Sequence, residues 1–593
     1  MIVSMKKISL LVLDKYREES LLDLRRLGLL HIKYIKSPSS SDIDSSEKKI
    51  EDVNKALLVI SNYLLRDYKQ KALNKEEASS LANQIISLDK EKEDCLKRKE
   101  DIQSQISWYN QWGVFSLTNL RELASAGINI RLYKCLKKQL VALSKTNMTS
   151  IIKKQAGYYY VAVVSLKDKP DLDIPEVSLP EQDFQILKKE LETIKNKISS
   201  IDNLLKQMVG YKQALSSYLG QLKKTLDFSQ VKSSMQEEGE IVYLQGFIPA
   251  GDLRRLVDLA NKKGWAYLIQ EPDSPQEVPT LIKNPRWLKI IEPVFKFMGT
   301  LPGYNEYDIS FSFLLFFSIF FALLIGDAGY GLLFLVFTYL IRKRLPHLAP
   351  EPFMLMYVLS FTTVLWGVVS GTWFGFEKIA QLPFLEVMVV DRVNSFIEGN
   401  QSFMMYICFL IGALHLSLAH STIALKIINS LKALAQIGWI LIIWSLFFLV
   451  GKLVLGKALF EYTGIMFFSG ICLVLLFSRP QRNIFKGIGI TLGDLPFRII
   501  GSFSDIISYL RLFAVGYATL ALANACNNMA ASIGFSNIFW GFLSACILFI
   551  GHSLNIILGL LAVIVHGIRL NMLEFSSHLG MQWSGIEYKP FKE

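Results

Sequence analysis

Between Arg511 and Arg569 the chain contains no Asp, Glu, Lys or Arg. One membrane span needs about 20 apolar residues, so this run has room for two. It predicts two long apolar helices, around residues 499–532 and 536–575, joined near Ala530–Asn537, with an arginine on each. An arginine in hydrocarbon costs at least roughly 2.5–3.5 kcal/mol, so it normally faces a partner or a wet cavity. Arg569 is near a helix end, where snorkelling to the interface is the alternative. Arg511 has IISYL before it, LFAVGYATLALA after it and Asp505 a turn and a half upstream. It reads as a functional charge.

The rest of the chain is uneven. Of its net charge of +12, only +3 falls after residue 300, where 17 Lys and Arg face 14 Asp and Glu. A charged soluble half therefore precedes a membrane half, and its basic balance suits an anionic cytoplasmic leaflet. Nothing resembles an aromatic-interleaved basic patch, so no nucleic acid partner is expected. The six cysteines are scattered, and four fall in apolar segments, which argues against a disulfide framework or a metal site. The opening MIVSMKKISLLVLDKYREE has too short an apolar run for a signal peptide and reads as a strand. The soluble half is thus expected in the cytoplasm.

In chain order, Lys6–Leu13, Arg17–Leu27 and Leu30–Ile35 predict a small βαβ unit. Residues 46–106 lack Pro and Gly and predict one long charged helix of roughly 90 Å. Ile50, Val53, Leu57, Ile60 and Leu64 recur at 3–4 spacing along it, and Leu81, Ile85, Leu88, Cys95, Ile102 and Ile106 continue the pattern with gaps. A globular segment at about 110–170 has strands at Ile128–Leu132 and Tyr158–Leu166 with a helix between. Phe184, Leu187, Leu191, Ile194, Ile198, Ile201, Leu205 and Met208 then keep a strict heptad within residues 180–228. Two such helices around a globular insert predict an antiparallel coiled-coil stalk with a distal head, the alternative being a helix that dimerises between chains. A second βαβ unit at 239–270 is expected beside the first.

The membrane half, residues 301–593, has apolar stretches at Ile309–Ile341, Phe353–Phe376, Ser402–Leu425, Ala433–Gly451 and Tyr462–Ser478 before the two long helices. The first would be roughly 50 Å long if continuous, and Gly326-Asp327-Ala328-Gly329-Tyr330-Gly331 breaks it. Counted as a hairpin, it puts Arg342-Lys343-Arg344 on the cytoplasmic side. Lys426, Lys432, Arg479, Arg482 and Lys486 then also fall inside, and Glu386, Asp391 and Glu398 outside, as the positive-inside rule prefers. That gives eight crossings with both termini cytoplasmic. The fold class is therefore mostly α: a coiled-coil stalk with small α/β ends, then about eight membrane helices, the last two long and tilted. His552, Asn555 and His566 are close to one helix face, and a polar stripe there needs partners or water.

Several segments look familiar together. SYLRLFAVGYA (508–518) and VHGIRLNMLEF (565–575) resemble the membrane subunit of rotary V-type and A-type ATPases, called subunit a, or I in bacteria. FFALLIGDAGYGLL (320–333), IGALHLSLAH (411–420), PGYNEYDISF (302–311) and LQGFIP (244–249) look like its other signatures, in the same order along the whole chain. The resemblance implies an ion-translocating stator subunit beside a rotating proteolipid ring (c or K type) whose subunits carry buried carboxylates. It implies two aqueous half-channels, with Arg511 facing the ring and Arg569 as the second arginine. Ser508, Asp505, Thr519, His552, Asn555, His566, Glu574, Asp327, His415 and His420 are candidate half-channel residues. Peripheral-stalk E/G-type and central-stalk d/C-type subunits, the lipid bilayer and H⁺ or Na⁺ are the implied partners, and no cofactor is implied. The location implied is the plasma membrane of a bacterium or archaeon.

The chain departs from that pattern in two places. Some relatives carry histidine where Thr519 stands, and eukaryotic relatives carry glutamate where Gly559 stands. A secondary transporter with a regulatory coiled coil is the alternative, but it should show repeated halves and broken helices at the midplane. A coiled-coil receptor or tether would leave two intramembrane arginines without a purpose. With no G-x-x-x-x-G-K-[ST] loop, the chain is expected not to hydrolyse ATP.

Overall fold

A computed structural model of the chain is mostly helical. It describes all residues except 64–72, 138, 141–147, 156, 167–174, 398, 481–483, 535 and 593. Leu64, Glu398 and Arg482, named above, lie outside the described residues. A five-stranded sheet runs β2 (His31–Lys33), β7 (Ile241–Pro249), β1 (Met5–Leu13), β8 (Ala266–Gln270), with β6 (Gln236–Glu238) paired to β7. By compactness the chain divides into two units.

One unit holds Leu11–Gly28 and Ile32–Gln245 with the last C-terminal residues. Its helices include α1 (Arg17–Leu27), α2 (Ser41–Ser61), α3 (Lys75–Trp112), α4 (Leu117–Ser125), α5 (Phe184–Met208) and α6 (Lys212–Ser234). The single helix expected over 46–106 is in fact two. Asn74 and Glu77 form a reciprocal capping box that starts α3 afresh, and α2 packs on α3 rather than continuing into it. Val53, Ala56, Ile60, Ala82, Ile85, Ile201 and Leu205 form the shared core. The heptad from Phe184 to Met208 coincides with α5, of which Leu187, Ile201 and Leu205 are buried. In the globular segment, β3 (Ile128–Leu136), β5 (Tyr158–Leu166) and β4 (Met148–Gln155) form an antiparallel sheet in that order. The expectation of only a helix between the outer strands missed β4, whose Thr-Ser-Ile-Ile run lies among lysines and is mostly exposed.

The other unit holds Met1–Leu10, Leu29–His31 and Gly246–Pro590. Among the described residues five helices are long and apolar enough to cross a membrane: Pro350–Ser370, Gln401–Lys426, Lys432–Leu455, Phe485–Ile533 and Ile538–Leu579. Ser310–Ile325 and Ala328–Arg344 form a pair bent by 119°, and Thr463–Phe477 is a shorter apolar helix. The bend comes from Gly326, at φ +67°, which ends the first helix in the left-handed region. Asp327 then caps the second helix by accepting from the Gly329 and Tyr330 amides.

The two long helices differ from their expected form. The first begins at Ile484 rather than near 499, carries Pro496 inside it, and is interrupted at Tyr509, so that Ile484–Ser508 and Leu510–Ile533 are separate segments. The Tyr509 ring is fully buried, and a Cβ at Gly412 would come within 2.7 Å of it, so only glycine fits there. The second long helix leaves α geometry after Ala562. Val563–Gly567 and Leu570–Phe575 are π-helical, with a further α turn at Ser576–Leu579.

Candidate functional site

The interruption at Tyr509 and the π turns bring four residues together. Arg511 donates from Nε to the Ser508 carbonyl at 3.1 Å, within the broken turn. Its Nη2 donates to Glu574 Oε1 at 2.8 Å, and Ser508 Oγ donates to the same oxygen at 2.8 Å. Arg569 Nε stands 3.5 Å from it. In a regular α-helix Arg569 and Glu574, five residues apart, would point about 140° away from each other. The π turn, with its i→i+5 pattern, puts them on one face. The carboxylate is the buried member, with 5% of its side chain exposed against 28% for Arg511 and 51% for Arg569.

A second polar group lies farther along both long helices. Asn527 Nδ2 donates to the Phe374 carbonyl at 2.7 Å, which leaves its Oδ1 to accept from His552 Nε2 at 3.1 Å. His552 Nδ1 therefore accepts, and the Tyr330 hydroxyl donates to it at 2.7 Å. Asn555 Nδ2 donates to the Tyr330 oxygen at 3.0 Å and to the Thr519 carbonyl at 2.9 Å. The Thr519 hydroxyl itself bonds back to the Gly516 carbonyl and is not part of the chain. Every hydrogen bond thus has one direction, from Asn555 through Tyr330 and His552 to Asn527. The Asn555 Oδ1 is buried without a partner among the described residues, so an acceptor is available if the chain reverses.

A third group lies on the other side of the arginines. Asp505 accepts from His578 Nε2 at 3.1 Å, His578 Nδ1 meets His420 Nε2 at 3.0 Å, and His420 Nδ1 meets Gln436 Oε1 at 2.7 Å. Trp439 stacks on His420 with an interplanar angle of 11°. Arg498, Ser502 and Ser577 join these side chains around a cleft of about 460 Å³. With Gln436 presenting its oxygen and Asp505 ionised, all three hydrogen bonds are made when the two imidazoles hold one proton more than two neutral rings carry.

Three candidates fall outside these groups. Asp327 accepts from the Gly329, Tyr330 and Gly375 amides and holds the bend. His415 is fully buried between Phe316 and Phe575, with ring centroids at 3.9 and 4.2 Å, and pairs with the Tyr509 hydroxyl. His566 Nδ1 is buried with no partner among the described residues. The structure also adds Tyr330, Asn527, Gln436 and His578 to the polar groups. Tyr330 and Asn527 are uncharged residues in apolar runs, and only the DAGY turn and the NACNN cluster could have marked them.

No family model matches the chain. A V-type ATP synthase subunit I from Borreliella burgdorferi is 34% identical to it over 621 residues, covering 100% of both chains. The chain belongs to the V-type ATP synthase subunit I family. A V-type ATP synthase subunit I 1 from Treponema pallidum is 29% identical over 632 residues, again covering 100% of each. An A-type ATP synthase subunit I from Methanocaldococcus jannaschii is 25% identical over 699 residues, covering 100% of this chain and 98% of that one. A crystal structure of the cytoplasmic N-terminal domain of subunit I, homolog of subunit a, of V-ATPase covers 45% of this chain and all of its own at 13% identity and a TM-score of 0.24. So loose a superposition carries no argument. In this subunit I chain, a side chain at Gly559 would meet Ile325 Cδ1 at 2.9 Å, and the carboxylate bonded to the arginines is Glu574.

Proposed function

We propose that this chain is the ion-translocating stator subunit of a V/A-type rotary ATPase, in which Arg511 and Arg569 face a passing proteolipid ring and polar paths lead to and from that ring. The observation that carries the reading is the pair of arginines on one buried carboxylate at the break between two long apolar helices. A guanidinium stays charged in such a setting, where a lysine would lose its proton more readily. Its charge favours the ionised form of a carboxylate brought beside it, so that the arriving site gives up its ion. It also repels cations that would leak straight past it.

The two remaining polar groups suit two offset half-channels. Along the first long helix, Asp505 precedes Arg511 by six residues, about 9 Å, and Asn527 follows it by sixteen, about 24 Å. The His420–His578–Asp505 cleft is open and polar, as one half-channel requires, and the Tyr330–His552–Asn555 chain is the candidate for the other. The bent pair counted as a hairpin gives eight crossings, with both termini and the soluble half on the cytoplasmic side. In this reading the helices of the soluble half form a stalk that links the membrane sector to E/G-type peripheral-stalk and d/C-type central-stalk subunits. The chain hydrolyses no ATP itself. The transported ion is H⁺ or Na⁺.

The test is ATP-driven ion uptake into vesicles that carry the whole complex, with native Arg511 and with Arg511→Gln. Loss of uptake with subunit composition unchanged is the expected result. Uptake at the native rate would leave the chain only a scaffold.

A further inference from the structure

We infer that Glu574 is a positioning residue whose charge sets the arginine pair at one net positive, the value that a single further carboxylate neutralises. The inference rests on the stator reading above and adds to it a defined charge balance for the site.

Two guanidiniums and one carboxylate leave a net charge of +1. The anion is more deeply placed than the cations, since Glu574 is nearly buried while Arg511 is partly and Arg569 half exposed. Two hydrogen-bond donors and the Arg569 guanidinium converge on one of its oxygens, Oε1, and Oε2 has no partner among the described residues. That arrangement fixes the arginines from one side and leaves donors over. Among the described residues no bond is made by Arg511 Nη1 or by either Nη of Arg569. Asp505, the other acid close by in the sequence, is engaged by His578 instead. By charge the site is thus one carboxylate short, and among the described residues guanidinium N–H groups of the kind that bind carboxylates have no partner.

The magnitude of the charge matters in both directions. An opposite charge within about 4–6 Å lowers a carboxyl pKa by roughly 1–3 units. With Glu574 neutralised, the site becomes +2, and a ring carboxylate that has docked leaves slowly. With Arg569 neutralised, the site becomes neutral, and an arriving carboxyl keeps its ion. Neutralising both restores +1. A residue that merely staples two helices together predicts the reverse for the double change, because it removes one more contact.

The experiment measures ATP-driven uptake, ATP hydrolysis and subunit composition of the whole complex in vesicles for Arg511→Gln, Glu574→Gln, Arg569→Gln and the double variant Glu574→Gln/Arg569→Gln. Glu574→Gln should lower uptake and hydrolysis together, on the order of tenfold or more. Arg569→Gln should lower uptake while hydrolysis falls less. The double variant should exceed both single variants in uptake. A double variant no better than the poorer single one, or native uptake by Glu574→Gln, overturns the charge balance. If Glu574→Gln does not assemble, assembly and uptake by the double variant support the proposal, and its failure to assemble overturns it. Native uptake by Arg511→Gln would instead defeat the stator reading itself.

Discussion

Two ion clusters in this chain use nearly the same parts to opposite ends. In the unit that holds Ile32–Gln245, Lys92 lies 2.7 Å from Asp202 and donates to the Tyr63 hydroxyl at 2.6 Å, and Tyr63 donates to Asp202 at 2.8 Å. Cation, carboxylate and hydroxyl close a triangle in which each answers the other two. In the membrane unit, Arg511, Glu574 and Ser508 supply the same three kinds of group, but a second cation is added and donors remain free. The closed cluster completes a packed surface. The open one has guanidinium donors without partners among the described residues, and on the stator reading proposed above a ring carboxylate completes it.

The contrast is sharpest for exchange of the cation. Arg511→Lys should reduce ATP-driven uptake on the order of 100-fold with the complex intact, because an ammonium cannot hold the Ser508 carbonyl and Glu574 in the fork that a guanidinium spans. Next in size, Tyr330→Phe removes the hydroxyl that links Asn555 to His552. Uptake should fall roughly tenfold or more, with thermal stability of the complex close to native. Uptake unchanged by Tyr330→Phe would remove this chain from the ion path. In the closed cluster the effects are on stability alone. Asp202→Ala should lower the stability of the soluble unit by about 1 kcal/mol, read as faster hydrogen exchange in Ser41–Ser61 and Phe184–Met208. Smallest of all, Lys92→Arg should change it by less than about 0.5 kcal/mol.

The Asp202 contribution also has a defined pH sense. Burial pushes this carboxyl upward, but hydrogen bonds from Lys92 and Tyr63 outweigh it and hold the group below its ordinary value. A lowered folded-state value gives stability that is complete above the ordinary carboxylate range and is lost as pH falls through the folded value. Lys92 is raised, first by its bond to Asp202 and then by that to Tyr63, so its share is lost only in alkali. Protection of the two helices, taken relative to the intrinsic amide exchange rate at each pH, should therefore be flat around neutrality and fall on acidification. Asp202→Ala should remove that acid dependence.

The features legible in the sequence were those written in charge and period. Arg511 and Arg569 stood out because nothing else charged lies between them, and the heptad from Phe184 to Met208 falls on one helix, although the coiled coil expected over 180–228 is divided at Val209–Tyr211 into that helix and Lys212–Ser234. The Gly326-Asp327 break was legible because glycine and a capping acid are local signals. Glu574 was found as a candidate, but its bond to Arg511 spans 63 residues and depends on a π turn, which no periodicity announces. Tyr330, Asn527 and Gln436 were missed because an uncharged side chain in an apolar helix acquires meaning only from its partner. Tyr330 and His552, for example, are 222 residues apart. The break before α3 was missed for a different reason. Its Asn74 and Glu77 are a legible cap, but the lack of Pro and Gly and the apolar 3–4 spacing on both sides suggested continuity.

The π turns have a further consequence for how this region tolerates change. A π turn is an α-helix that has absorbed one extra residue, so deleting one residue between Val563 and Phe575 gives the helix a shorter, more regular path. Such a deletion would leave the helix whole. Straightening the segment to α geometry with every residue kept would instead rotate what lies beyond it by about 100°, turning Glu574 away from Arg511. The two surplus residues act as a phase adjustment between the two ends of the last helix, and at this number of residues regular α geometry is incompatible with the meeting of carboxylate and arginines.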